Sequence, residues 1–411
     1  MNLSALTSKD FRIYICGNIF ASNAVWMQRV TTGWIAWDLT SSASFVGMVA
    51  FVNFIPSLLA GPLFGVLVDR VRVKQAAIFT QFLSFMIAIS FYAFFALGIL
   101  NELNLLFLTL CTGMVVSAHS PVRMSLGPLL VDSTSIASVV TLSAINFNLA
   151  RLTGPAIAGW IIAFYGIQAS LFVQILCYPP FLLALSFLRP RRELALNAQK
   201  EAFMKALTTG ILYSFKSPLI FKTLLITALS SFLLRSVLEI LPVIADGFLG
   251  RGATGLGLLT SFAGFGALLA GIVKAFSSSQ PPGILPKYVP VSIFFGFVFI
   301  PLIGLCGSWY LTLGFISYLG FAGTLSGISL QSTIQMELED SFRGRVMSLW
   351  TMAAIGGTAL GAVFLGGFTD YLGVVPALGL TPRFWMIIRV GKSRWRGPRS
   401  GCGCWESCRL F

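Results

Sequence analysis

Apolar residues fill this chain in long blocks rather than in alternation. The stretch "FTQFLSFMIAISFYAFFALGIL" is apolar on every side of a helix, and blocks like it recur throughout the sequence with short polar punctuation between them. A bilayer core about 30 Å thick takes roughly 20 apolar residues per helical span, whereas a membrane β-barrel would show short segments of alternating polarity. The pattern predicts spans at 11–37, 45–67, 75–98, 104–121, 138–164, 168–188, 219–243, 255–276, 287–306, 309–333 and 346–369. The expected fold class is an all-α polytopic membrane protein.

Basic residues fall in every second connection. Arg70, Arg72, Lys74, Arg123, Arg191, Arg192, Lys274, Arg343 and Arg345 lie in one set of loops, and the other set holds only Arg251. The positive-inside rule places the basic set, and the N-terminus with Lys9 and Arg12, in the cytoplasm. The longest connection carries "RPRRELALNAQKEAFMK" and reads as a linker at 189–218. It divides the chain into an N-terminal six-helix bundle at 1–188 and a C-terminal bundle at 219–373, followed by a basic tail at 374–411.

The two bundles resemble each other. "SLLAG" at 57–61 returns as "ALLAG" at 267–271, with Gly47 on Gly257, at a displacement of 210. At 207, Gly154, Gly159 and Gly166 fall on Gly361, Gly366 and Gly373. Apolar matches between membrane helices carry little information, but glycines in register imply close helix packing at equivalent places. The repeat predicts two pseudo-symmetric six-helix halves related by an axis along the membrane normal.

Composition narrows the function. The chain has 411 residues, of which 56% are hydrophobic and 10% charged, with a net charge of +14. That charge follows topology and the basic tail, and nucleic acid is not an expected partner. Cys16, Cys111, Cys177 and Cys306 each stand alone in an apolar run and read as small fillers. The first apolar run contains Asn18, Asn23, Gln28 and Arg29, unlike a signal peptide, so it reads as a retained span. There is no phosphate-binding loop and no nucleophile elbow, and a lone histidine excludes the usual two-histidine zinc pairs. No enzyme activity, cofactor or metal is expected.

What remains is polarity inside the spans, where it is costly and marks function by default. Asn18, Ser22 and Arg29 share one face of the first span, and so are candidates for a substrate cavity, the alternative being that Arg29 snorkels to the interface. In the seventh span Arg235 and Glu239 are four residues apart, spaced to pair along one face. Glu239 is the one acid placed within a span. It is a candidate for proton coupling, with a structural ion pair as the alternative. Arg151 in the fifth span is a further cavity candidate, and so is Gln331 in the tenth, with helix-to-helix hydrogen bonding as its alternative. His119 reads as a packed or interfacial residue.

The segment "GVLVDRVRVK" from Gly65 resembles the loop signature of the major facilitator superfamily between its second and third helices. Gly65, Leu67, Asp69, Arg70 and Lys74 match, while Arg72 and Val73 depart from it. "ARLTGPAIAGW" in the fifth span resembles the Gly-Pro motif of its proton-exchanging exporters, through Gly154, Pro155 and Gly159, with Ala150 and Ala158 in place of glycine. "SPVRMSLGPLLVD", "LPVIADGFLGRGATGLGLL" and "RGRVMSLW" are similar to the enterobactin-exporter and macrolide-efflux-like branch.

The resemblance implies a twelve-helix, 6+6 fold whose cavity is lined by spans one, four, seven and ten. Asp69 would then act as a gating residue against the start of the eleventh span. It implies a monomeric secondary transporter of a bacterial inner membrane that exports a siderophore, macrolide or drug-like molecule by alternating access in exchange for protons. An uptake facilitator or symporter, or a non-transporting membrane protein built on a degenerate carrier, are the alternatives. The pattern breaks after Gly373, where Pro382, Arg383 and Arg389 interrupt the twelfth apolar run. The tail reads as foreign to the family, as a shifted reading frame near Thr381 would make it. Its three cysteines, Cys402, Cys404 and Cys408, lack the partners of a metal site.

Overall fold

The computed structural model describes residues 4–59, 71–190, 212–215, 217–277, 285–338 and 343–380, with backbone alone for 343–345. Every regular element among them is helical. Helix α1 (Lys9–Thr40) starts at Ser8, whose hydroxyl accepts from the Phe11 amide, and stops at Ser41, which adopts a left-handed φ of 50°. Its 32 residues extend about 48 Å, long enough to cross a bilayer core and project beyond it. Then come α2 (Ala43–Leu59), α3 (Val73–Ala96) and α4 (Glu102–Leu129), the last capped by Asn101.

Helix α5 (Ile136–Cys177) holds two passes joined at Gly166, where φ is 84°. Its contacts with α1 fix the reversal. On the first pass the Thr153 hydroxyl donates to Asn23, and Ser138 accepts from the Ala5 amide just before α1. On the return Ser170 bonds Thr31, and Ala184, in the short α6 (Pro179–Phe187), faces Gly17. A positive φ at that turn favours glycine, so one residue turns a continuous apolar sequence into a hairpin.

The second half begins with α7 (Pro218–Ser230), which runs on through a π-type turn (Ser231–Arg235), a 3-10 turn (Ser236–Leu238) and a second π-type turn (Val243–Phe248). Helices α8 (Gly252–Phe276), α9 (Tyr288–Cys306), α10 (Trp309–Glu337) and α11 (Arg343–Leu372) follow. Positions 374–380 are helical too, with Ala377 and Leu378 buried in the core. The apolar run after Gly373 thus begins as a packed helix, and the rest of the tail lies outside the described residues. Eight of the described helices are long and apolar enough to cross a membrane, the hairpin through Gly166 included.

The halves meet along two seams, α2 against α11 and α5 against α8. The seams are equivalent in atomic detail. A Cβ on Gly159 would stand 2.6 Å from the Ala253 carbonyl oxygen, and one on Gly257 2.7 Å from that of Pro155. At the other seam Gly366 faces the Ala43 carbonyl and Gly47 that of Ala362. The displacements of 210 and 207 that relate the halves map each of these contacts onto its counterpart. Glycine stands where two backbones touch, because any side chain would push the halves apart.

Core packing is lopsided along the helix axes. One cluster spans both halves at the end where α1 turns into α2, joining Ile35, Val46 and Ile161 to Val237, Ile244 and Leu256. Toward the other end each half keeps its own core. Phe11, Tyr14, Val122 and Phe181 pack in the first half, and Ile220, Ile334 and Val346 in the second. Among the described residues, therefore, the core is shared between the halves at one end and split at the other.

Candidate substrate cavity

A cavity of about 790 Å³ lies between the halves. Helical periodicity selects its lining. Asn18, Ser22, Trp26, Arg29 and Gly33 of α1 recur every three or four residues along one stripe, as do Ala50, Asn53, Phe54, Ser57 and Leu58 of α2 and Thr112, Val116, His119, Ser120 and Arg123 of α4. The second half contributes Leu238, Glu239, Pro242, Leu256, Thr260, Thr351 and Met352, among others. The lining reaches Met124 near the split end, where that side chain is 73% exposed.

Contacts across the halves shut the opposite end. The Trp37 indole nitrogen donates to Asp246 Oδ2 at 2.9 Å. Asp370, in the last turn of α11, accepts from the Ser42 hydroxyl at 2.7 Å and from the Ala43 and Ser44 amides at 2.7 and 2.8 Å. A carboxylate there satisfies amides that the first turn of α2 leaves free and faces the positive end of its dipole.

Beneath this closure Arg29 forms an ion pair with Glu239. This corrects the expectation that Glu239 pairs with Arg235. The π-type and 3-10 turns over 231–238 change the angular step, so residues four apart no longer stack. Arg235 instead reaches toward α10, its guanidinium lying near Gly323 and Gly327. The Arg29 side chain is 41% exposed and that of Glu239 10%, and both line the cavity. Arg29 also lies over Trp26 and Phe54, with centroid distances of 5.5 and 5.2 Å.

Asn18 and Ser22 line the cavity, and the Asn146 amide from α5 donates to the Ser22 hydroxyl at 3.1 Å. Arg151 is not among the lining residues. Its guanidinium lies over Trp26 at 5.6 Å, and it interacts electrostatically with Arg235, Arg29 and Glu239. Arg151 and Arg235 thus both interact electrostatically with Glu239 and Arg29, although neither lines the cavity. Gln331 does not line the cavity either, and His119 is tied to the Thr80 hydroxyl at 2.9 Å.

Gly154 of the Gly-Pro motif makes room for α1, since a Cβ there would stand 2.8 Å from that of Trp26. Pro155 and Gly159 belong to the α5–α8 seam. Lys74 donates to the Ser186 and Leu188 carbonyls at 2.9 and 2.8 Å, capping α6 within its own half. Gly65, Asp69 and Arg70 lie outside the described residues. Sequence reasoning missed Trp26, Phe54 and Phe147 as cavity residues, although Trp26 sits on the same α1 stripe as Arg29. It also counted Arg123 only as a topology signal.

A family model described as "Transmembrane secretion effector" matches residues 1–390. The chain belongs to the major facilitator superfamily. Curated relatives include a staphyloferrin A transporter of Staphylococcus aureus, 24% identical over 369 residues, covering 85% of this chain and 87% of that protein. Another is the enterobactin exporter EntS of Shigella boydii, 25% identical over 342 residues, covering 80% and 76%.

Among solved structures, the nucleoside transporter NupG aligns with a TM-score of 0.70 at 13% identity, over 93% of this chain and 97% of that one. A bacterial homologue of the human lysosomal transporter Spinster, inward-facing and unoccupied, aligns at 0.69 and 13% identity, over 92% and 86%. These likenesses give the fold. The protein is a multi-pass membrane transporter of the major facilitator type, with a small molecule as its substrate.

Proposed function

We propose that this transporter exports an anionic small organic molecule, of siderophore-like character, across the bacterial inner membrane in exchange for protons. The observation that carries the reading is the excess of positive charge about Glu239, which pairs with Arg29 and interacts electrostatically with Arg151 and Arg235. Unbalanced charge in a low-dielectric interior is costly, and a bound anion relieves it. The names of the relatives favour the same chemistry, since one is a siderophore exporter and another a siderophore transporter.

Under this reading the split end is cytoplasmic, as the basic connections require, and the cavity stands ready to load from inside. The protein works as a monomer, with the two halves rocking about the glycine seams. Glu239 is the proton carrier. When it is charged it holds Arg29 and the closed end together. When protonated it lets go of Arg29 and, with it, of the closed end. Deleting the gene should leave cells retaining a labelled anionic siderophore that the parent strain expels. If deletion instead abolishes entry of the compound, the protein is an uptake carrier.

A further inference from the structure

One wall of the cavity repeats a single device at two depths. Arg29 lies over Phe54 and Trp26 below the closed end, and Arg123 lies over Phe147 at 5.1 Å toward the split end. The two units are joined edge to face through Trp26 and Phe147, whose ring centroids are 5.6 Å apart. All five side chains line the same cavity. They form a continuous strip of alternating cations and rings from α2 across α1 and α5 to α4.

The two cations differ in what else they hold. Arg29 has Glu239, the one acid among the described residues of the cavity lining. Arg123 forms no ion pair among the described residues. Its neighbours include His119 and Tyr14, neither of which offers a negative charge near neutral pH. A guanidinium seated on a ring has its plane fixed while its donors point outward, and five donors exceed what one carboxylate or one ring consumes. Each unit is thus a preformed seat for an anionic group, with apolar surface beside it for the carbon skeleton.

We propose that the anionic substrate occupies two like-built stations in succession, a loading station at Arg123 and Phe147 and a deeper one at Arg29, Trp26 and Phe54. The proposal rests on the reading that the cavity carries an anion, and goes beyond it by adding a second binding site and a direction of travel. The anion first neutralises Arg123. It then moves along the Trp26–Phe147 contact to Arg29, where it competes with Glu239. A substrate with two separated anionic groups spans both stations at once.

Benzoate, small enough to fill one station, tests this on the full chain purified in detergent, with binding counted by equilibrium dialysis. The expected result is two benzoates per protein. Arg123→Gln and Arg29→Gln should each leave one, with the lost site weakened by at least about tenfold. Arg123→Lys should keep two, and Phe147→Leu, which retains the charge, should weaken only the loading station. A parent protein that binds one benzoate, or an Arg123→Gln variant that still binds two, overturns the second station while leaving the anion reading in place. If neutral benzamide binds as well as benzoate, or benzoate does not bind at all, the anion reading falls and the stations with it.

Discussion

Arg29 and Glu239 are paired across the halves at a separation of 210 positions, the same displacement that carries Gly47 onto Gly257. Trp37 and Asp246, at 209, repeat the relationship at the closed end. Near a two-fold axis a residue meets its own counterpart, so these two contacts mark where the pseudo-axis runs through α1 and α7. Opposite charges at the axis bond the halves to each other rather than bracing either one. The contact belongs to the conformational equilibrium more than to folding.

Replacing Glu239 by Gln should therefore abolish pH-driven export while leaving downhill exchange intact. Arg29 also loses its ion-pair partner, but its side chain is 41% exposed, so only a small fall in thermal stability should accompany the change. Unaltered driven export would remove Glu239 from the coupling step.

Asp370 makes a sharper prediction about closure. It holds three donors at the start of α2, whereas the position displaced by 207 in the other half is Ala163. Of the two seams, only α2–α11 thus carries this carboxylate latch among the described residues. Asp370→Asn should weaken closure by roughly 1–2 kcal/mol, a shift of about 5–30-fold in the open population. A cysteine introduced at Gly33 and labelled from the closed side should show it as faster alkylation. Labelling at the parent rate would mean that Trp37 and Asp246 keep that end shut unaided.

The glycine seams yield a matched comparison. Gly159→Ala and Gly366→Ala, at equivalent backbone contacts, should each slow transport and cost about 1–3 kcal/mol of stability through overpacking. A Cβ on Gly271 meets nothing within 4 Å, so Gly271→Ala should be neutral or slightly stabilising. Melting temperatures of the three variants decide the matter, and equal losses at all three would contradict the seam assignment.

These residues also show what was legible beforehand. The glycine register at 47, 159, 257 and 366 appears in the sequence because close helix contact leaves only one residue type possible. The α1 stripe is legible because a regular helix has one period. Glu239 paired differently from its spacing because α7 leaves that period just before it, and no local signal marks a π-type turn. Asp370 was invisible for another reason. An acid at the end of a span looks like ordinary interfacial polarity until the partner helix, more than three hundred residues earlier, is brought beside it. The same holds for Arg123, where the sequence displays the charge but not the ring beneath it.

The central claim is that the cavity reads negative charge and moves it across the membrane. The direct measurement is pH-gradient-driven accumulation of labelled anionic siderophores and neutral macrolides in proteoliposomes, with the parent protein and Arg29→Gln compared side by side. The account predicts that the parent concentrates anionic siderophores and not macrolides, and that Arg29→Gln loses this by about tenfold or more. Accumulation of the neutral compounds alone, or anion transport unchanged in Arg29→Gln, would contradict it.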